Sequence, residues 1–222
     1  RELYSQTLAF LNEGSMSSSR PEKIKSIKSN VSKSLSSSTK KTDEVQLERH
    51  YDNFWLGLDF DTQLEFIRLL QNSSDNDIKV KIVTDKKRDA NRICCVLEDH
   101  PGIFARLAGA IAVIGANVVD ARTYTTRDGI ATAVFWIQTR EHDPFEQAIV
   151  EKIVKSIKNA LSGTVVPKKV LDVKGKFSKA EREFLVPTTI TFDNEGSDIY
   201  TIIEVDTRDR IGLIHDLTNT LY

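Results

Sequence analysis

The stretch EDHPGIFARLAGAIAVIGANVVD, residues 98–120, carries groups that could hold a small zwitterion. A free amino acid needs converging N–H donors for its carboxylate and acceptors for its ammonium group. The start of a helix supplies unpaired N–H groups and a partial positive charge. Gly102 has no side chain to keep a ligand off that backbone, and Pro101 stiffens the entry to it. Asp99 can accept from an ammonium group, and Asn117 can both donate and accept. Strand end, helix start and next strand start would then converge on one site. The same residues also read as plain caps and turns, because Asp, Pro and Gly commonly open helices. His100 reads equally well as a solvent-facing loop residue.

The elements that must position these groups follow from periodicity. IKVKIVTD alternates as a strand, and RICCVLED is a second strand after the turn-like KKRDAN. IFARLAGAIAVIG places Phe104, Leu107, Ala108, Ile111 and Ile114 on one helical stripe. Its Ala and Gly content would let this helix sit close to a sheet. NVVDARTYTT and IATAVFWIQT are strands joined at Arg127-Asp128-Gly129, with Ala131, Ala133, Phe135 and Ile137 on one face. Asp143-Pro144-Phe145-Glu146 reads as the capped start of a long helix, with the stripe Phe145, Ile149, Ile153, Ile157 and Leu161, stopped by Gly163. Strand, helix, strand, strand, helix, completed by a strand from 78–85 or 187–193, predicts a ferredoxin-like α+β fold.

The order then restarts. PTTITFD and YTIIEVD are strands, and DRIGLIHDLTNTLY aligns without gaps on DHPGIFARLAGAIA at a constant offset of 110 residues. Asp99 meets Asp209, Gly102 meets Gly212, Ile103 meets Leu213 and Leu107 meets Leu217. A repeat of this period predicts two copies of one small domain. The second copy stops inside its first helix, and the chain lacks an initiator Met, so it is expected to be a piece of a longer protein.

Upstream, residues 1–13 read as a helix end of a preceding domain. Residues 14–42 are Ser/Lys-rich, with seven basic residues and one acid. They lack aromatics for base stacking, which favours a solvated, disordered linker with a weak helix (Ile24, Ile27, Val31, Leu35) over a nucleic-acid arm. Residues 43–77 form a helical connector, with Asp61 or Thr62 as helix cap and Trp55, Phe60, Leu64, Ile67 and Leu70 facing inward. Residues 78–166 make the first copy of the repeated domain, 167–186 a linker, and 187–222 the truncated second copy.

Composition excludes several functions. A net charge of −1 gives no global pull toward nucleic acid or membrane, and no apolar run approaches the roughly 20 residues of a membrane span. Cys94 and Cys95 are adjacent and point to opposite faces of a strand, so neither a disulfide nor a metal pair is expected, and a reducing cytoplasm fits. His50, Asp59 and Asp61 lack a spaced partner for a metal. RICCVLED and IATAVFWIQT lack the paired exposed aromatics of RNA-binding sheets.

Asp99-His100-Pro101-Gly102-Ile103-Phe104, followed by Gly115-Ala116-Asn117-Val118, resembles the ACT domain, a regulatory module that binds amino acids. The longer run DHPGIFARLAGAIAVIGANVVDARTYTTRDGIATAVFWIQ is similar to the first of two tandem C-terminal ACT domains in the bifunctional uridylyltransferase/uridylyl-removing enzymes of the nitrogen signal protein PII. FDNEGSDIYTIIEVDTRDRIGLIHDLTNTLY resembles the start of the second, and HYDNFWLGLDFDTQLEFIRLL the helical segment before them. The resemblance implies a glutamine-sensing region without catalytic groups of its own. It implies an upstream nucleotidyltransferase and hydrolase in the parent, with Mg there and no cofactor here, PII as partner, and pairing between ACT modules. It also implies ligand contacts at Asp99, His100, Gly102, Ile103, Asn117 and Val118, and at Asp209, Gly212 and Leu213 in the second copy. Ile211 stands where the family usually has Pro. The alternative is an ACT-type small-molecule-binding or dimerisation module of another enzyme or of a transcription regulator.

Overall fold

The computed structural model describes residues 20–35, 40–71, 78–138, 147–174, 187–197 and 200–221. The helix end expected over 1–13 and the helix start expected at 143–146 lie outside the described residues. Those residues form a mixed α and β structure containing an antiparallel four-stranded sheet. The chain divides into two compact units.

The first unit takes residues up to Lys79 together with 96–98 and the hairpin end 124–132. It holds α1 (Arg20–Ser34), α2 (Lys40–Glu48), α3 (Asp52–Gly57) and α4 (Phe60–Gln71). The weak helix of the Ser/Lys stretch forms, and α1 buries Ile24 and Val31 at helical spacing, so this part of the stretch is packed. The cap of α4 is neither Asp61 nor Thr62. Asp59 takes that role, its carboxylate accepting from Thr62 N–H at 2.9 Å. Moving the start forward turns the apolar face: Phe60 is 41% exposed, while Phe66, Ile67 and Leu70 are buried. Gln63 is buried too and satisfies the end of α3, its amide donating to the carbonyls of Trp55 and Leu58, both at 2.8 Å. His50 is buried. It stacks on Phe54 with ring centroids 3.7 Å apart, and burial holds its pKa down to about 3 with help from the neighbouring Arg49 charge.

The second unit takes the remainder. The sheet consists of β1 (Lys79–Asp85), β2 (Ala90–Glu98), β3 (Asn117–Thr125) and β4 (Ile130–Gln138), in the spatial order β1-β2-β4-β3. Of the two candidate completing strands, 79–85 is the one that joins. Central β2 and β4 are buried along nearly their whole length, on both faces, which explains two adjacent buried cysteines. Burial pushes the Cys95 thiol far up, so it stays protonated. Helix α5 (Ile103–Val113) lies on the Phe135 face, where Phe104 stacks on Phe135 at 5.1 Å. Helix α6 (Gln147–Leu161) packs on α5, with Ser156 Oγ donating to Ala110 O at 2.9 Å and Ile153 and Ile157 fully buried. Gly163 sits at φ 74° and stops it.

A short helix α7 (Pro167–Lys174) follows, then the antiparallel ribbon β5 (Thr189–Asp193) and β6 (Ile202–Asp206), in which Ile190 faces Val205, and finally α8 (Leu213–Leu221). The backbones at the starts of α5 and α8 match locally. Ile103 N–H donates to His100 O at 3.2 Å and Arg106 N–H to Gly102 O at 3.1 Å; 110 residues on, Leu213 donates to Arg210 at 3.1 Å and Asp216 to Gly212 at 3.0 Å. Gly102 and Gly212 share a left-handed backbone, at φ 77° and 84°.

Candidate functional site

Helix α5 is built to be approached closely, though not chiefly by the sheet. A Cβ on Gly109 would lie 2.5 Å from Pro167 Cβ and 2.8 Å from His215 Nδ1, so this glycine clears space for α7 and α8. His215 is only 4% exposed, and its Nδ1 stands 2.7 Å from the carbonyl oxygen of Ala105 on α5. The two positions are 110 residues apart, the offset at which the sequence aligns on itself.

This contact brings the loop before α8 against the start of β3. Asn117 Nδ2 donates to Asp209 Oδ2 at 3.3 Å. Beside them lies a cavity of about 40 Å³, whose lining includes Asn117, Val118, Asp209, Gly212, Leu213 and His215. The left-handed glycine makes the loop possible, and it also lets the loop sit close: a Cβ at Gly212 would meet Leu171 Cδ1 at 3.3 Å. Arg210 of this loop is already engaged, its guanidinium pairing with the Asp216 carboxylate in the first turn of α8. Asp216 there also complements the helix's positive end. The cavity therefore offers a carboxylate, a primary amide, an imidazole and a helix amino end within a few residues of one another. Chemically these can hold a small ligand with both donors and acceptors. They contain no nucleophile with an adjacent base.

The structure thus brings Asn117, Val118, Asp209, Gly212 and Leu213 to one cavity. Asp99, His100, Gly102 and Ile103 do not line it. Asp99 and His100 are exposed, the His100 ring lying 3.2 Å from Pro101 O, while Ile103 is buried in the core. Asn117 consequently faces the loop at 209–213 across the cavity. His215 carried no signal in the sequence: the repeat alignment sets it opposite an alanine, and nothing local marks that position as polar and buried. No cluster of three or more potential metal ligands occurs among the described residues. No described helix is long and apolar enough to cross a membrane.

No established protein-family profile matches the chain. Its full length is, however, 48% identical over 221 residues to a protein of Cereibacter sphaeroides, of which it covers 24%. It is 44% identical over 225 residues to one of Ruegeria pomeroyi, covering 25%, and 33% over 230 residues to one of Azospirillum brasilense, covering 24%. All three relatives are named bifunctional uridylyltransferase/uridylyl-removing enzyme. The chain spans about a quarter of their length, and from end to end it is homologous to one region of enzymes carrying that name.

Proposed function

We propose that this chain is the glutamine-sensing regulatory region of a bifunctional uridylyltransferase/uridylyl-removing enzyme. Residues 78–166 are one ferredoxin-like ACT module, and residues 187–222 belong to a second. The chain itself does no chemistry. Nucleotidyl transfer with Mg, uridylyl removal and recognition of PII belong to the rest of the longer, cytoplasmic enzyme.

One observation carries this reading: the glycine loop at 209–213 meets Asn117 and Val118 around a polar-edged cavity. The contact of His215 with Ala105, one repeat length apart, supports a face-to-face arrangement of equivalent helices. In such an arrangement Asp99, Gly102 and Ile103 would line an equivalent second cavity, closed by the counterparts of Asn117 and Val118 in a continuing second module. A cavity of about 40 Å³ holds water, which needs roughly 10–15 Å³ on the same measure, but not an amino acid. On this reading glutamine enters as α5 and α8 part. A ligand that fits one arrangement and not the other shifts the balance between them, and that shift is the regulatory signal.

The test is calorimetric titration of glutamine into the intact chain and into Asp209→Ala. Saturable binding that Asp209→Ala weakens supports the proposal. Absence of any binding by the unaltered chain sinks it. The exposed ribbon β5–β6, with Phe192 64% exposed, favours a second reading as a pairing module, and sedimentation of the chain at rising concentration tests it.

A further inference from the structure

A groove of about 580 Å³ runs between α1 and α2, within the helical unit. Ligand pockets typically fall between roughly 300 and 1,000 Å³. One wall is a face of α1: Ile24, Lys28 and Ser32 form one row at intervals of four residues, and Lys25 and Ser29 a second. The facing wall is Glu44, Leu47 and Glu48 of α2, with Asp52 beyond them. Ile24 and Leu47 are buried and make an apolar floor, whereas Lys25, Ser29, Glu44 and Glu48 are exposed along the rims. Lys28 Nζ donates to Glu48 Oε1 at 2.7 Å and ties the walls together. Five residues, 35–39, join α1 to α2, so the two run antiparallel and Glu44 falls level with Ser32. Two helix faces with an apolar floor and polar rims have the shape that receives a third, amphipathic helix.

We propose that this groove is the docking site of the chain's own residues 1–13, laid as a helix antiparallel to α1. The inference does not depend on the reading of the small cavity. The segment is delivered to the groove: only Gly14–Ser19, six residues of Gly, Ser and one Met, separate it from Arg20, where α1 begins. Connections of roughly 2–8 residues commonly join neighbouring helices of a bundle. At 1.5 Å per residue the segment would be about 20 Å long, against about 22 Å for α1. Leu3, Tyr4, Leu8 and Leu11 recur at helical spacing and supply the anchors that a helix lays into such a groove. Counted back from the reversal at 14–19, Leu11 comes near Ile24 and Tyr4 near Ser29. The charges agree with this direction. Glu2 and Glu13 fall on the face away from the stripe, clear of Glu44, Glu48 and Asp52, while Arg1 flanks the stripe at the Glu44 end. A nucleic-acid strand would instead meet those three carboxylates.

The test is disulfide trapping in the full chain, whose two natural cysteines are buried and do not compete. Thr7→Cys with Ser29→Cys joins the inner face of the segment to the rim of the groove. Ser5→Cys with Ser29→Cys is the control, because Ser5 lies on the outer face of the same helix. Under mild oxidation the first pair is expected to close within one chain about tenfold faster than the control. Adding Leu8→Asp and Leu11→Asp, which removes two anchors, should slow the first pair to the rate of the control. Equal rates for the two pairs, no closure by the first, or closure undiminished by the anchor substitutions overturns the inference. Disulfide-linked dimers in place of closed monomers assign the groove to a second copy of the chain and overturn it as well.

Discussion

Replacing Gly109 with Ala sets two known effects of opposite sign against each other. In a helix interior Ala is favoured over Gly by about 1 kcal/mol, so propensity alone predicts stabilisation. The new methyl group, however, would stand 2.5 Å from Pro167 Cβ and 2.8 Å from His215 Nδ1. Neither neighbour can swing aside: one is a ring fused to the backbone at the start of α7, the other a buried ring held by Ala105 O. Reaching ordinary carbon–carbon separations of about 3.5–4.0 Å moves both helices by about 1 Å. Overpacking of that kind costs about 1–3 kcal/mol, which matches or exceeds the propensity gain. The net expectation is a destabilisation of about 0–2 kcal/mol, concentrated where α7 and α8 dock on α5. Urea unfolding gives the total. Hydrogen exchange gives the location, with amides of α8 losing protection and those of β2 and β4 keeping it. A Gly109→Ala chain that gains the full propensity benefit, with α8 as protected as before, would show that close approach at this position does not hold the helices together.

Four other substitutions separate the remaining claims. Gly212→Ala meets both a left-handed backbone and Leu171 at 3.3 Å, whereas Gly163→Ala meets the backbone cost alone; thermal unfolding should rank Gly212→Ala as the worse, the shared strain being about 1–2 kcal/mol. Asn117→Ala removes an exposed hydrogen bond at 3.3 Å, so stability should change by under about 1 kcal/mol, as urea unfolding would read. His50 has its pKa lowered from 6.5 to about 3, so the unfolded chain takes up its proton first as pH falls. Its contribution is complete above pH 6.5 and is lost progressively between pH 6.5 and about 3, and His50→Phe should flatten the stability profile of the helical unit across that window.

Legibility differed by scale. Strand alternation, the hairpin at 127–129 and the gapless offset of 110 residues are local or periodic properties, and the sheet and the twin glycine loops follow them. The site was half legible for a physical reason. A self-alignment shows that Asp99 and Asp209 are equivalent, but not that Asn117 faces the second of them. That depends on how α8 packs on α5, which is decided by a glycine, a proline and a buried histidine far apart in the chain. In α4 the inward positions of Ile67 and Leu70 were legible, whereas the Asp59 cap, the exposure of Phe60 and the burial of Phe66 were not. In α1 the spacing of Ile24 and Val31 is legible as a weak helix, but the serines and lysines hid its packing, because burial of two residues leaves little mark on average composition.

On the proposed reading, the smallness of the cavity is what gives a ligand leverage. A molecule that fits two arrangements equally moves neither, and one excluded from the closed arrangement puts its whole binding free energy behind the open one. At 100 times the dissociation constant of the open arrangement, that amounts to about 2.7 kcal/mol. This falls short of the roughly 5.5 kcal/mol needed to carry a population from 1:99 to 99:1. Saturating ligand reverses the balance only if the closed arrangement is favoured by about 1–2 kcal/mol beforehand. The polar contacts that close it are of that size: one exposed bond from Asn117 to Asp209 and one buried bond from His215 to Ala105, each typically contributing about 0.5–1.5 kcal/mol. A clamp stronger than that would hold the cavity shut against such a ligand. The pairing of α5 and α8 through small residues and a single buried imidazole keeps it within reach of one.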